Sequence, residues 1–442
     1  MQNPALDFPV VMPWGNDSLS FVLPKEWELI GWMEPASASA VQVIQQEIER
    51  SLSEPTGLNR LAELAKPGMK IALVIDDDSR PTPVNLILPA VLAELRQGGA
   101  ALEQITLVPA TGIHHAMSAA AIAGRVGEDI FPTLRMEAHN CDSAESLTYL
   151  GTTRRGTPVW VSKTVAGADL IISVGCIEPH IIASFGGGYK NLVPGVAGRA
   201  TIAHNHSLNC RPDTFNSVGQ PIELNPMRLD LEEAAGMLKA PVFLVNAVLN
   251  SHLEVVRVVC GHPVAAHREG VQVSSQIYGA AIPALADVVI SSSHPMDQDL
   301  RQGVKALANT VRALRPGGVM ISCVRAEEGV GVFGLADRKL PVGQKTLKRL
   351  APLLLPLVSR LNLKGMGEED RFFLYFALQA MRRGDLLMYA PTIPAEKQAN
   401  LPFVSFLESF EAGLAYARRK FPGKASVLVF PHGGSTYPIL PE

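Results

Sequence analysis

A chain of 442 residues that is 47% hydrophobic and 18% charged is long enough for two cores and leaves no room for extended disorder. A formal net charge of −3, with no basic block beyond Arg418-Arg419-Lys420, excludes a nucleic-acid footprint. No run reaches the roughly 18 apolar residues of a membrane span, and five scattered cysteines without a Cys-x-x-Cys pair exclude a disulfide framework and a zinc knuckle.

The N-terminus lacks a basic n-region and a long apolar run, so no signal peptide is expected, and with the cysteine usage this points to the cytoplasm. Leu19 to Leu23 reads as an opening strand or hairpin, Val41 to Leu52 carries helical spacing, and Leu58 to Leu64 starts a second helix. Lys70 to Ile75 is a β-branched run ending in Asp76-Asp77-Asp78, the pattern of a buried parallel strand feeding a polar loop. A helix over Pro83–Gln97, a strand over Ile105–Pro109 and a strand over Ala168–Val174 continue the theme. Past Gly279 it restarts, with strands at Ala286–Ser291, Gly317–Cys323 and Ser426–Phe430 and helices at Gln298–Leu314, Leu347–Leu361, Asp370–Arg382 and Val404–Arg418. The fold class is α/β, as two α/β domains with a cofactor and substrate cleft between them. The first covers 1–275, the second 280–424, and the last strand (425–442) is a candidate to rejoin the first.

The segment Cys176–His206 holds the densest chemistry: His180 after Glu-Pro, three glycines (Gly186, Gly187, Gly188), Lys190 at their exit, and His204-x-His206. Consecutive glycines let backbone approach a ligand and aim N–H groups at an anion such as a phosphate. Lys190 can then pair with that anion or attack an electrophilic carbon, and the imidazoles suit proton transfer or metal ligation. Asn191 after the lysine excludes a Walker A loop, and no strand-Gly-x-Gly-x-x-Gly-helix order is present. Three further segments carry polar groups: Asp76-Asp77-Asp78-Ser79-Arg80, Thr111-Gly112-Ile113-His114-His115, and Pro295-Met296-Asp297-Gln298 through Gln302-Gly303-Val304-Lys305.

These four motifs in this order resemble the nickel-dependent lactate racemase family, from Trp14-Gly15 to at least Lys305. The resemblance implies that Lys190 forms a thioamide link to a nickel-pincer nucleotide, a Ni(II)-pyridinium-3,5-bisthiocarboxylate mononucleotide supplied by its own biosynthesis enzymes. It implies that His206 completes the nickel coordination and that His114 and His180 are the acid/base pair. Asp77, Asp78, Ser79 and Arg80 fall at the cofactor, and Arg80, Gln302 and Lys305 at a small 2-hydroxy acid. Two positions depart from the family's pattern: His115 stands where Arg is common, and Ser293-His294 precede Pro295 where Gly is common. Both bear on which hydroxy acid is bound rather than on the chemistry.

The residue types suit a hydride route. Removing the α hydrogen as hydride needs only that the hydroxyl proton leave with it, which a neutral His accepts. The planar keto acid then takes hydride on either face, so one imidazole per face is the minimal apparatus. Nickel(II) favours square-planar geometry with soft and imidazole donors. Two readings of other classes stand beside this one: a non-catalytic protein that binds the nickel cofactor or a related nucleotide, and a metal-dependent hydrolase built on His204-x-His206. His204 reads as a loop or structural His rather than a ligand, and His115 as a group near the substrate or a solvated neighbour of His114; His252, His262, His267 and His432 read as structural, and Asp76 and Asp78 as turn formers.

Overall fold

The computed structural model describes residues 9–331, 333–340, 342–360 and 367–441. The N-terminal reading at residues 1–8 and the helix end expected at Leu361 lie outside the described residues. The chain forms two compact units: a first of Ser37–Leu208 and Gln220–Ile277, and a second of Met1–Ala36, Asn209–Gly219 and Tyr278–Glu442.

In chain order, β1 (Val10–Trp14) and β2 (Asp17–Phe21) form a hairpin and β3 (Trp27–Trp32) follows, all in the second unit. The first unit supplies β4 (Ile71–Asp76), β5 (Ile105–Ala110), β6 (Arg135–Met136), the hairpin β7 (Leu147–Thr152) and β8 (Pro158–Ser162), and β9 (Leu170–Cys176). The two-residue pair β10 (Pro179–His180) and β11 (Ser184–Phe185), then β12 (Val242–Leu249) and β13 (Val255–Gly261), complete it. The second unit resumes with β14 (Gly279–Ala281), β15 (Ala286–Ser292), β16 (Leu314–Cys323), β17 (Gly384–Tyr389), β18 (Ser405–Phe406), β19 (Ala425–Phe430) and β20 (Tyr437–Ile439).

The first unit's main sheet runs β13-β12-β9-β4-β5-β6, parallel except for β13. Every residue of β4, β9 and β12 is buried, the signature of strands covered on both faces. Alternate residues (Ile71, Leu73, Ile75; Ile172, Val174; Phe243, Val245) share one core with the apolar stripes of helices Ile44–Ser53 and Val84–Gln97. From β4 the chain moves outward to β5 and β6, then returns to place β9 on β4's other side. The crevice at the carboxyl ends of β4 and β9 is therefore a topological switch point, the position where open α/β sheets bind ligands. The loops leaving those two ends are Asp77–Arg80 and Ile177–His180.

The second unit's sheet runs β18-β17-β16-β15-β19-β3, every pairing parallel. Its switch point lies between β15 and β19. This corrects the boundaries expected from sequence. The strand at Ala425–Phe430 does not rejoin the first domain, because it is buried inside the second sheet and needs a ladder partner on each edge, β15 and β3. Pairing with β19 in turn draws residues 27–32 out of the expected 1–275 domain. The helix expected over 298–314 is broken into Leu300–Gly303, Lys305–Thr310 and a 3₁₀ turn, and that expected over 404–418 is the edge strand β18 followed by helix Phe410–Lys420. Among the described residues no helix is long and apolar enough to cross a membrane.

Phe243 in β12 is fully buried in the first unit's core. Phe243→Ala should cost about 3–5 kcal/mol, read as a lower urea midpoint for the first unit's unfolding.

Candidate active site

At the carboxyl end of β4, burial works to raise the Asp77 carboxyl, but His114, Ser79 and Arg80 overcome it and hold the group well below the ordinary carboxylate range. Asp77 Oδ2 lies 2.6 Å from His114 Nδ1, and Oδ1 accepts from the Ser79 hydroxyl and, at 3.2 Å, from the Ser79 amide. His114 sits just past β5, its amide donating to the Thr111 carbonyl at 2.8 Å. An ionised Asp77 makes Nδ1 the protonated nitrogen of a neutral His114, so Nε2 carries a lone pair. Asp78 and His115, beside them, are exposed.

His180 is set in the opposite sense. Its Nδ1 accepts from the amides of Ile182 and Ala183, both at 3.2 Å, which places the proton of the neutral ring on Nε2. The turn that supplies those amides contains Ser184 at φ 63°, a left-handed conformation costly for a side chain with a Cβ. One imidazole thus presents a basic nitrogen and the other an N–H. The Arg80 guanidinium, on the loop after β4, ion-pairs with Glu178, two residues before His180, and Glu178 and Asp77 keep Arg80 charged against its partial burial.

The triple-glycine loop does not have the role expected from sequence. Two of its N–H groups are already satisfied by protein: Gly186 donates to the Glu178 carbonyl at 2.7 Å and Gly188 to Asn246 Oδ1 at 2.8 Å. The loop is a tightly packed platform rather than an anion cradle. A Cβ on Gly187, at φ 71°, would lie 2.4 Å from Asn246 Oδ1, and one on Gly188 would press on the His267 ring. The carbonyls point the other way, into a clamp. Arg228, 0% exposed, donates to the carbonyls of Phe185 (2.8 Å), Gly186 (3.2 Å) and Gly187 (3.1 Å). His267, also buried, lies beside it: Nε2 donates to the Gly186 carbonyl at 2.8 Å and Nδ1 accepts from Arg268 at 3.0 Å. Burial and the Arg228 charge keep His267 neutral, so Arg228 Nη2 at 2.6 Å from the protonated Nε2 is a close contact rather than a hydrogen bond.

Lys190 emerges from this platform in the 3₁₀ turn Gly188–Asn191. Burial and the charges of Arg80 and Arg228 push its amine down to about 7, against the opposing pull of Glu178 and Asp77. At neutral pH about half of such amines are unprotonated and nucleophilic. His206 lies on helix Arg199–Ser207, which packs on β8. Its Nδ1 donates to the Ile202 carbonyl at 2.9 Å, leaving Nε2 with a lone pair, the arrangement usual for a metal-ligating His. His204 instead pairs with Thr157 Oγ1 at 2.8 Å, which in turn donates to buried Asp230 at 2.6 Å, and reads as structural. Among the described residues no three His, Cys, Asp or Glu side chains gather into a metal-binding group. The donor set therefore fits a metal that brings most of its ligands with it and needs one imidazole, and it does not fit a zinc hydrolase with three protein ligands.

Gln302 and Lys305 lie in the second unit, on the short helices after β15. The Gln302 amide caps onto Asp299 Oδ1 at 2.7 Å and Lys305 Nζ lies 3.7 Å from Met296 Sδ. At that unit's switch point His294 Nδ1 is 2.9 Å from Asp297 Oδ2, and its ring meets His432 edge-on at 5.2 Å. Sequence reasoning passed over Arg228 and Asn246, and it read His267 as structural without a partner, where the structure places it against the Gly186 carbonyl. A signal was there for Arg228, which occupies an apolar helical position between Met227 and Leu231, where a charge has to be satisfied internally.

The profile of the lactate racemase N-terminal domain matches residues 14–216. Lactate racemase of Thermoanaerobacterium thermosaccharolyticum is 30% identical over 330 residues, 74% of this chain and 76% of that one. The Lactiplantibacillus plantarum lactate racemase is 31% identical over 293 residues, 66% and 68% of the two chains. The solved lactate racemase apoprotein of T. thermosaccharolyticum superposes with a TM-score of 0.83 at 25% identity, covering 98% of this chain and all of that one. The chain belongs to the lactate racemase family, a family of isomerases. A Thermotoga maritima protein of solved structure shares the fold alone, with a TM-score of 0.63 at 14% identity over 92% of this chain.

The Asp77 shift has a sign that can be tested. Its carboxyl titrates lower folded than unfolded, so the stability it contributes is present above about pH 4 and is lost as pH falls further. Asp77→Asn should flatten the acid limb of the stability curve between about pH 4 and 2, followed by chemical denaturation at each pH.

Proposed function

We propose that this protein interconverts the stereoisomers of a small 2-hydroxy acid, with Lys190 carrying a nickel-pincer nucleotide and His206 supplying the protein's nitrogen to the nickel. The observation that carries this reading is the place of Lys190, on a loop whose carbonyls and amides are tied to Arg228, Glu178 and Asn246 at the switch-point end of the first sheet, where burial and two guanidinium charges push its amine down to about 7. An ordinary surface lysine has neither the neutrality nor the fixed loop that covalent attachment needs. The cofactor, when bound, supplies a reversible hydride acceptor; the remaining chemistry belongs to the chain.

His114 takes the hydroxyl proton at Nε2, and Asp77, hydrogen-bonded behind it, steadies the imidazolium that results. His180 faces the opposite requirement: to give a proton at Nε2 to the oxygen that is re-forming a hydroxyl it must be an imidazolium, so its Nδ1 has to exchange the Ile182 and Ala183 amides for a proton. With Nδ1 protonated, the neutral ring left after that transfer carries a lone pair on Nε2 and accepts the hydroxyl proton in the other direction. Glu178 neutralises much of the Arg80 charge, so Arg80 serves to orient the Asp77 loop as well as to meet an anionic ligand. Lys305 and Gln302 are the second unit's groups for the substrate carboxylate and hydroxyl.

Co-expression with the cofactor's biosynthesis enzymes should add a nickel-containing mass, carried on the peptide that contains Lys190 and absent from Lys190→Ala. An adduct that persists in Lys190→Ala would put the attachment elsewhere and remove the reading's main support. In the loaded protein His114→Ala and His180→Ala should each slow interconversion in both directions by roughly 10²-fold or more, measured by chiral chromatography.

A further inference from the structure

We propose that Arg228 is a positioning residue for covalent cofactor attachment, seating the Lys190 loop from beneath and acting on the lysine amine through that loop and through its own charge. The inference rests on reading Lys190 as the attachment site. Arg228 is fully buried, it holds three successive loop carbonyls, and its ion pair with Glu232 is long at 3.9 Å. Glu232 is shared with Arg268, which it meets at 2.8 Å, so the guanidinium charge under the loop is only partly compensated. The helix Pro226–Ala235 that carries Arg228 is fastened to the start of the same loop: Asn225 Nδ2 donates to the Ile182 carbonyl at 2.8 Å and to Ser184 Oγ at 3.0 Å. Replacing Arg228 therefore alters both where the amine sits and the field it feels.

The charged groups acting on Lys190 are Arg80 and Arg228, which oppose its protonation, and Glu178 and Asp77, which favour it. Glu232, Arg268 and neutral His267 surround Arg228. Attachment needs a free amine. Its nitrogen bonds to the thiocarboxyl carbon, one amine hydrogen and the thiol hydrogen leave with the carboxyl oxygen as water, and the sulfur stays as the thioamide. A buried cation that disfavours the ammonium form promotes that step without touching the reacting atoms.

The test uses the apoprotein. Trace acylation with acetic anhydride across pH 5 to 11, scored by peptide mass, gives the titration midpoint of Lys190 against exposed Lys25 as an internal standard. Wild type should show a midpoint near 7. Arg228→Met should raise it by about one pH unit or more, because a like charge has been removed. Arg228→Lys keeps the charge and loses the fork, so it should restore the midpoint while lowering the acylation rate above it. If Arg228→Met does not fold, Glu232→Gln provides the opposite arm: loss of the counter-charge should lower the midpoint further. A folded Arg228→Met that titrates like wild type, or a midpoint unmoved in Glu232→Gln, overturns the proposal. Failure of the attachment reading looks different, since the midpoints would move as expected while co-expressed protein carries no adduct on Lys190.

Discussion

A guanidinium buried away from water has to find oxygen acceptors, and in this protein Arg228 finds them in the backbone of the Phe185–Gly187 loop. That requirement dictates the rest of the first unit's site. Three carbonyls turned toward Arg228 force the loop through positive φ at Gly187 and Gly188, where side chains would meet Asn246, Ile177 and His267. The loop N–H groups are then committed to Glu178 and Asn246, which bind it to the carboxyl end of β9 and to β12. Lys190, leaving this platform, inherits a fixed origin and a positive field. A buried charge held by dipoles contributes little to net stability, and here it defines one loop conformation.

The two imidazoles of the first unit show how second partners set chemistry. His114 and His180 are the same residue type beyond the carboxyl ends of β5 and β9, the strands on either side of β4, yet a carboxylate behind one and two amides behind the other give them opposite proton placement. The second unit repeats the first device, with Asp297 behind His294 at the end of β15 as Asp77 stands behind His114 beyond β5. Both pairs lie at carboxyl ends of parallel strands, where the fold leaves polar groups unsatisfied by the ladder.

The buried parallel strands β4, β5, β9, β15 and β19 were legible because their β-branched runs are bounded by polar loops, and the positions of His114, His180 and Lys190 beyond strand ends were legible because they follow those runs. The domain boundary was not, since nothing local in Trp27–Trp32 says that its ladder partner lies some 400 residues on. β12 was missed although Val242–Leu249 is an apolar run of the right length; its asparagine, Asn246, which breaks the run, is the residue that holds Gly188. β17 follows directly on the amphipathic helix Glu368–Arg383, and the periodicity does not mark where one stops and the other begins. The glycine loop misled for a different reason: glycines that admit a ligand and glycines that admit a neighbouring side chain have the same sequence.

The most direct test of the account follows the hydrogen itself. Loaded enzyme given one enantiomer of a 2-hydroxy acid deuterated at C2 should carry it toward an equal mixture, because free enantiomers have equal energy, and the product enantiomer should keep its deuterium by mass spectrometry. Retention shows that the hydrogen travels as hydride between faces while His114 and His180 handle only the hydroxyl proton. Washout of the deuterium into water would show proton abstraction at carbon instead, and the assignment of both imidazoles would then be wrong.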